Sequence, residues 1–277
     1  MKSFENKVAA ITGAGSGIGR ELALELGRRK CHLALSDVND DGLRETAAQA
    51  RALGVRVSSQ RVDVAEREAV CAWSDEVANE HGKVNLIFNN AGVALASTVE
   101  RMRYEDFEWL MNINFWGVVH GTKAFLPHLK ASGEGHIINI SSIFGLAGIP
   151  TQSAYNSAKF AVRGFTESLR QELDMLDCGV SATSVHPGGI KTGIARASRV
   201  DPNIRDLGLS DVGAGKKFEK TFITGADKAA RVILDGVRRD RRRILIGPDA
   251  RIFDWVVRFL PSTYQRITVR YSKFSAK

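Results

Sequence analysis

The chain has 277 residues, 44% hydrophobic and 25% charged, with 26 Gly and 6 Pro, a composition that excludes collagen-like, low-complexity and disordered chains. Cys31, Cys71 and Cys178 are odd in number, far apart and without C-x-x-C spacing, which argues against a disulfide scaffold or a metal site and suits a reducing cytosol. The net charge of +8 falls entirely in residues 238–277, which hold 11 Lys and Arg against 3 acids, whereas residues 1–237 hold 28 of each sign; a neutral body with a basic tail points to a local role and not to a nucleic-acid surface.

Residues 1–7 are polar and the first apolar run, 8–11, is four residues long, short of the roughly 7–15 that a secretory signal needs. No stretch reaches the roughly 18 consecutive apolar residues of a spanning helix. A cytoplasmic protein with no integral membrane segment is expected.

Seven short runs rich in β-branched residues follow one another at 8–12, 32–36, 55–62, 86–89, 136–141, 180–185 and 243–246. Longer segments with helical spacing separate them; Leu43, Ala47, Ala50 and Leu53, for example, fall on one helix face. Alternation of this kind predicts an α/β fold, a single doubly wound parallel sheet of about seven strands with helices on both faces, whose ligands bind beyond the carboxyl ends of the strands. Residues 188–225 break the pattern. They hold Gly189, Gly193, Gly208, Gly213, Gly215 and Pro202, and a segment that long without regular periodicity reads as a lid or substrate loop.

The first strand runs into Thr12-Gly13-Ala14-Gly15-Ser16-Gly17-Ile18-Gly19, followed by Leu22, Ala23 and Leu26 at helical spacing. Glycines permit a tight turn and a close approach of backbone to a pyrophosphate, and the helix N-terminus offers free N–H groups and a partial positive charge. A dinucleotide site over Gly13, Ser16, Gly17, Ile18 and Gly19 is expected. The second strand leads to Asp37, 18 residues beyond Gly19, near the offset of a ribose-binding acid. Its carboxylate suits two ribose hydroxyls and repels a 2′-phosphate, which neither Ser16 nor Val38 is equipped to receive. NAD is therefore favoured over NADP, with a helix cap as the plainer reading of Asp37.

The fifth strand ends in Ser141-Ser142, and Tyr155-Asn156-Ser157-Ala158-Lys159 opens a helix thirteen residues past Ser142. Tyr155 and Lys159 share one helix face. The ammonium, with oxidised nicotinamide as a second positive charge, is expected to lower the phenol pKa, making Tyr155 a general acid/base with Ser142 holding the substrate oxygen. The six histidines show no metal-ligand spacing. A Schiff-base lysine needs a desolvated amine, and Lys159 beside a phenol has another use.

In this order, Thr12–Gly19, Asn89-Asn90-Ala91-Gly92, Asn114, Ser142, Tyr155/Lys159 and Pro187-Gly188 resemble the short-chain dehydrogenase/reductase family over nearly the whole chain. The resemblance implies that Asn89, Asn90, Ala91 and Gly92, at the end of the fourth strand, stabilise the sheet and pass close to the adenosine ribose, and that Asp63 and Val64 contact adenine. It further implies that Asn114 holds a water linking Lys159 to solvent and that Lys159 grips the nicotinamide ribose. Pro187, Gly188, Ile190 and Thr192 would orient the carboxamide. Asn90 and Asn114 also read as turn or capping residues, and His186 as a packing or hydrogen-bonding residue.

The function so read is NAD-linked interconversion of a secondary alcohol and a ketone, with residues 1–248 as the catalytic domain and 249–277 as a basic extension of it. Val93, Ala94, Leu95, Ile143, Phe144 and Leu146 favour an apolar or aromatic substrate over a sugar. The alternatives are an NADP-dependent carbonyl or oxoacyl reductase and a NAD-binding sensor or scaffold, the latter opposed by the complete Ser142, Asn114, Tyr155 and Lys159. A homodimer or homotetramer formed through helices over 107–130 and 155–176 is implied by the resemblance and by Trp109, Phe115 and Trp116, costly to leave exposed. In the extension, Ile252, Phe253, Val256, Val257 and Leu260 share a helix face flanked by Trp255 and Phe259, and Pro261 ends the helix. Two readings stand: a peripheral contact with an anionic membrane, or packing on its own or a neighbouring subunit. Packing is preferred, because Asp249 and Asp254 interrupt the basic charge.

Overall fold

The computed structural model describes residues 1–209, 211 and 222–275. Seven parallel strands, β1 (Val8–Thr12), β2 (His32–Asp37), β3 (Val57–Arg61), β4 (Leu86–Asn89), β5 (Gly135–Ile140), β6 (Val180–Pro187) and β7 (Arg243–Ile246), form one sheet in the order β7-β6-β5-β4-β1-β2-β3. The order reverses between β1 and β4, and such a switch point opens a crevice at the carboxyl ends of the two strands.

The five inner strands are buried on both faces because both are covered, whereas the edge strands β3 and β7 are fully buried on one face at most. Ala9, Ile11, Leu33, Leu35, Leu86 and Phe88 enter one core cluster, with Leu22 and Leu26 of α1 (Gly17–Arg28), Ala47 of α2 (Asp40–Arg51) and Ile233 of the later helix Ala226–Arg238. Their strand neighbours Val8, Ala10, Ala34 and Ile87 enter a second cluster. It is closed by Trp73 of α3 (Arg67–His81), Phe125 of α5 (Gly117–Ala131) and Leu169 of α6 (Ser153–Leu176). Period-two alternation with no polar face is the pattern of a sheet sandwiched between helix layers.

The expected strands differ from the observed ones by two residues or fewer at each end; Val55 and Val62 lie outside the β3 ladder although both are buried. The helix expected over 107–130 is interrupted. Between α4 (Tyr104–Met111) and α5, residues Asn112–Trp116 form one π-helical turn, a widening frequent at functional sites. Of its large apolar side chains only Trp116 is exposed: Arg199 covers the Trp109 ring at 3.6 Å, and Phe115 packs edge-on to Phe165.

The segment 188–225 is less irregular than expected. Ile190–Lys191 pairs with Thr224–Gly225, Leu95–Ala96 pairs with Arg199–Val200, and Pro202–Leu207 is a 3₁₀ turn. Two-residue ladders leave no periodicity to read. Gly213 and Gly215 lie outside the described residues. The remaining helices are α7 (Ala226–Arg238), α8 (Pro248–Phe259) and α9 (Tyr264–Ser275). No helix among the described residues is long and apolar enough to cross a membrane.

His136 in β5 is fully buried and its Nε2 lies 2.7 Å from Thr183 Oγ1 in β6. Burial pushes its pKa down to about 3. The unfolded chain therefore takes up a proton that the folded one refuses, so the stability present above pH ~6.5 is lost as pH falls toward 3. Denaturant unfolding between pH 6.5 and 4 should show a loss of about 1.4 kcal/mol per pH unit from this group. His136→Gln should lose that part of the slope.

Candidate active site

The turn after β1 is shaped by backbone that side chains would obstruct. Gly13 and Gly17 have φ of 65° and 54°, the left-handed region that glycine enters without strain. A Cβ at Gly13 would stand 2.8 Å from Ala91 Cα, and one at Gly19 would fall onto the Gly13 carbonyl. The loop is thereby pressed against the end of β4. Thr12 Oγ1 accepts from Asn90 N and Ala91 N, both at 3.0 Å, and Asn90 Nδ2 donates to the Thr12 and Gly13 carbonyls at 3.0 and 3.2 Å. Ser16, which begins α1, makes no side-chain cap, so the first N–H groups of that helix, over Gly17, Ile18 and Gly19, face the crevice without a side-chain acceptor. An anion fits there.

Asp37 stands at the rim of this cradle. Its Oδ2 accepts from Gly15 N at 2.8 Å and its Oδ1 from Asn39 N at 2.9 Å. The capping role belongs to Asn39, whose side chain accepts from Gly42 N. Two N–H donors orient the Asp37 carboxylate and leave lone pairs for further donors, since an ionised carboxylate has about four acceptor sites. Arg20, the nearest cation bonded to the loop, is spent on Gly15 O and Glu45. Asp63 and Val64 follow β3 beside Asp37, whose carbonyl accepts from Val62 N. Asp63 Oδ1 accepts from Ala65 N, and Val64 is buried, its side chain against Gly117 and its carbonyl bonded to His120.

The second cluster forms where β5 meets α6. The Tyr155 hydroxyl lies near the Ser142 side chain, which favours its ionised form; the Ser142 oxygen accepts from Phe144 N at 3.1 Å. Lys159 is 3% exposed; its Nζ donates to the Ile140 carbonyl at 3.0 Å and lies 5.6 Å from the Tyr155 ring centroid. Gly92 leaves the space beside that ammonium open, since a Cβ there would stand 3.7 Å from Nζ. Asn114, buried in the π turn, bonds Val93 twice: Oδ1 accepts from Val93 N and Nδ2 donates to Val93 O, both at 2.8 Å. His186 is buried, with Nδ1 3.0 Å from Ser142 O and Nε2 3.0 Å from Ser184 Oγ. Burial lowers its pKa to about 4, so the neutral ring fixes the Ser142 backbone.

The expected lowering of the phenol pKa is not what this arrangement produces. Burial pushes Tyr155 up to about 12, against the smaller opposing effect of the nearby Ser142 side chain. Burial also draws Lys159 down to about 8. The ammonium faces the ring and is bonded to a carbonyl, so desolvation outweighs its field at the phenol oxygen. Of the apolar residues expected at the site, Leu95 and Leu146 are core, whereas Val93, Ala94, Ile143 and Phe144 remain partly open, and Phe144 meets the Tyr155 ring edge-on at 6.0 Å.

Pro187 ends β6, and Ile190 is buried in its short ladder with Thr224. The Thr192 methyl would lie 3.1 Å from a Cβ at Gly17, so this segment folds back over the glycine turn. Two residues that sequence reasoning missed hold the surrounding walls. Asp249, in the first turn of α8, accepts from Gly189 N at 2.6 Å and fills the space that a Cβ at Gly188 would need. Tyr264 of α9, 8% exposed, accepts from Gly148 N at 3.1 Å through its hydroxyl. Gly148 belongs to the loop between Ser142 and Tyr155. No local pattern announces contacts 60 and 116 residues apart.

A model described as short chain dehydrogenase matches residues 7–203. A protein of Mycobacterium tuberculosis named putative oxidoreductase SadH is 50% identical over 268 residues, 96% of this chain and 95% of that protein. Human 17-beta-hydroxysteroid dehydrogenase 13 is 31% identical over 270 residues, 97% of this chain and 84% of that one. Among solved structures, a short chain dehydrogenase/reductase from Burkholderia phymatum in complex with NAD superposes with a TM-score of 0.84 at 30% identity, covering 98% of this chain and 97% of that one.

Replacing Tyr264 by Phe removes the only acceptor found for Gly148 N–H among the described residues. The expected loss is about 1 kcal/mol in unfolding free energy, with roughly fivefold faster exchange of the Gly148 amide. Hydrogen exchange resolved at that amide checks it.

Proposed function

The chain belongs to the short-chain dehydrogenase/reductase family of oxidoreductases, and on that premise we propose that it interconverts an apolar secondary alcohol and the corresponding ketone with NAD as cofactor. The observation that carries the reading is the Ser142–Tyr155 hydroxyl pair beside a buried Lys159, at the mouth of a crevice whose other side is a glycine-lined helix N-terminus. In oxidation, Ser142 Oγ holds the substrate oxygen and Tyr155 Oη takes the hydroxyl proton; in reduction, Tyr155 returns it. A bound nicotinamide supplies the hydride acceptor or donor. Burial favours the neutral phenol and depresses Lys159, so positive charge in the crevice is what favours the phenolate needed for oxidation.

Gly13, Ser16, Gly17, Ile18 and Gly19 cradle the pyrophosphate, and Asp37 receives the adenosine ribose hydroxyls. Asp63 and Val64 border adenine; Asn90, Ala91 and Gly92 pass beside the ribose. Pro187, Gly188, Ile190 and Thr192 hold the carboxamide, and Lys159 holds the second ribose. The Asn114 side chain is spent on Val93, so the water it holds for Lys159 is taken by its main-chain carbonyl in the π turn. NAD is preferred to NADP because Asp37 would face a 2′-phosphate and exposed Val38 offers it no cation. An apolar substrate is supported by Val93, Ile143 and Phe144 around Tyr155, and by the hydroxysteroid in the human relative's name. Residues 249–277 belong to the catalytic domain, whose walls they hold. The exposed Trp116 and Phe160 mark the face through which copies pair.

Tyr155→Phe should lower kcat by about 10²–10⁴ with cofactor affinity retained; near-normal turnover on a verified substrate would overturn the assignment. Asp37→Ala with Val38→Arg should shift kcat/KM at least tenfold toward NADP, about 1.4 kcal/mol. A parent enzyme that already prefers NADP would refute the reading of Asp37.

A further inference from the structure

The C-terminal helices leave one surface that the catalytic reading does not use. In α8 the inward side is formed by Phe253, Asp254, Val256 and Val257, which are partly buried. Ile252, Trp255 and Phe259 point outward, 63%, 63% and 69% exposed. Packing on its own subunit therefore covers only half of the helix's apolar residues. The Trp255 and Phe259 rings stack on each other at 5.2 Å with 20° between planes, a flat aromatic platform in open solvent.

The platform continues into a groove of about 490 Å³ at the start of α8. Val232, Leu245, Ile246 and Ile252 line it, and Lys228 and Arg251 stand in its walls. Cationic side chains continue along the described part of the extension, where Arg251, Arg258, Arg266 and Arg270 are exposed, and the entire +8 excess of the chain lies beyond residue 237.

We propose that this face of α8, with its adjoining groove, docks on an anionic lipid surface. Aromatic and aliphatic side chains enter the region between headgroups and acyl chains, while arginines and lysine meet the headgroup charge. A second copy of the chain is a poorer occupant. A two-fold contact would set the same basic patch, with exposed Arg251, Arg258, Arg266 and Arg270, against itself, and like charges across an interface are unfavourable. Asp254 pairs with Arg243 and with Arg258, so the charge of the patch rests mainly on Lys228, Arg251, Arg266 and Arg270, all exposed.

The inference does not depend on the proposed reaction and is read by binding alone. Full-length protein is sedimented with vesicles of pure phosphatidylcholine and with vesicles containing 30 mol% phosphatidylglycerol, at low and high salt, while tryptophan emission is recorded. Expected are at least tenfold tighter binding to the anionic vesicles, weakening at high salt, and a blue shift that Trp255→Phe abolishes. Trp255→Ser with Phe259→Ser, and separately Lys228→Glu with Arg251→Glu, should each weaken binding at least tenfold with the melting temperature unchanged. Equal or absent binding to both vesicle types would overturn the proposal, as would vesicle binding that survives both double variants. So would a light-scattering mass that falls in the Trp255/Phe259 variant, since the face would then belong to a contact between copies.

Discussion

The Thr12 hydroxyl is the point to which the crevice is referred. It receives N–H groups from two successive residues after β4 and itself donates to the Phe88 carbonyl at 3.3 Å. Parallel neighbours diverge at a switch point, and nothing in the sheet ladder holds their ends together beyond it. One hydroxyl, with Asn90 reaching back to the Thr12 and Gly13 carbonyls, closes the gap at the base of the glycine turn. That closeness is why Gly13 and Gly19 carry no side chain, and why the α1 N-terminus and the backbone after β4 face the same space.

Away from that hinge, the chemistry depends on desolvation. Tyr155 and Lys159 lie one helical turn apart in α6, yet their proximity alone does not set their protonation. Burial raises one and lowers the other, so both are pushed toward neutrality. A pocket of this kind responds strongly to any charge that enters it, because the interior that destabilises ions also transmits their fields. The Ser142 backbone is held by His186, whose Nδ1 lies 3.0 Å from the Ser142 carbonyl oxygen.

What could be read without coordinates was local. The five inner strands are legible because each is a short run buried on both sides, and the glycine turn because its residues are consecutive. Ser142, Tyr155 and Lys159 are legible through spacing on two adjoining elements. The protonation of Tyr155 was not legible, since burial is a property of the assembled fold. The short ladders of 188–225 were hidden by their length, and the π turn at Asn112–Trp116 by a pattern nearly indistinguishable from an α-helix. Asp249 and Tyr264 were missed for another reason: their partners are backbone amides of glycines, which leave no trace in side-chain patterning.

The two wall contacts made by α8 and α9 also set an order of events in synthesis. Strands β1 to β6, the glycine turn and the Ser142–Tyr155–Lys159 cluster are all translated before residue 190, whereas the acceptor for the Gly189 amide arrives at residue 249 and that for Gly148 at residue 264. A nascent chain can thus assemble its crevice and reactive side chains while two of the bordering loops still lack their anchors. The loops at Gly148 and Gly189 gain these two acceptors only once residues 249 and 264 have been made.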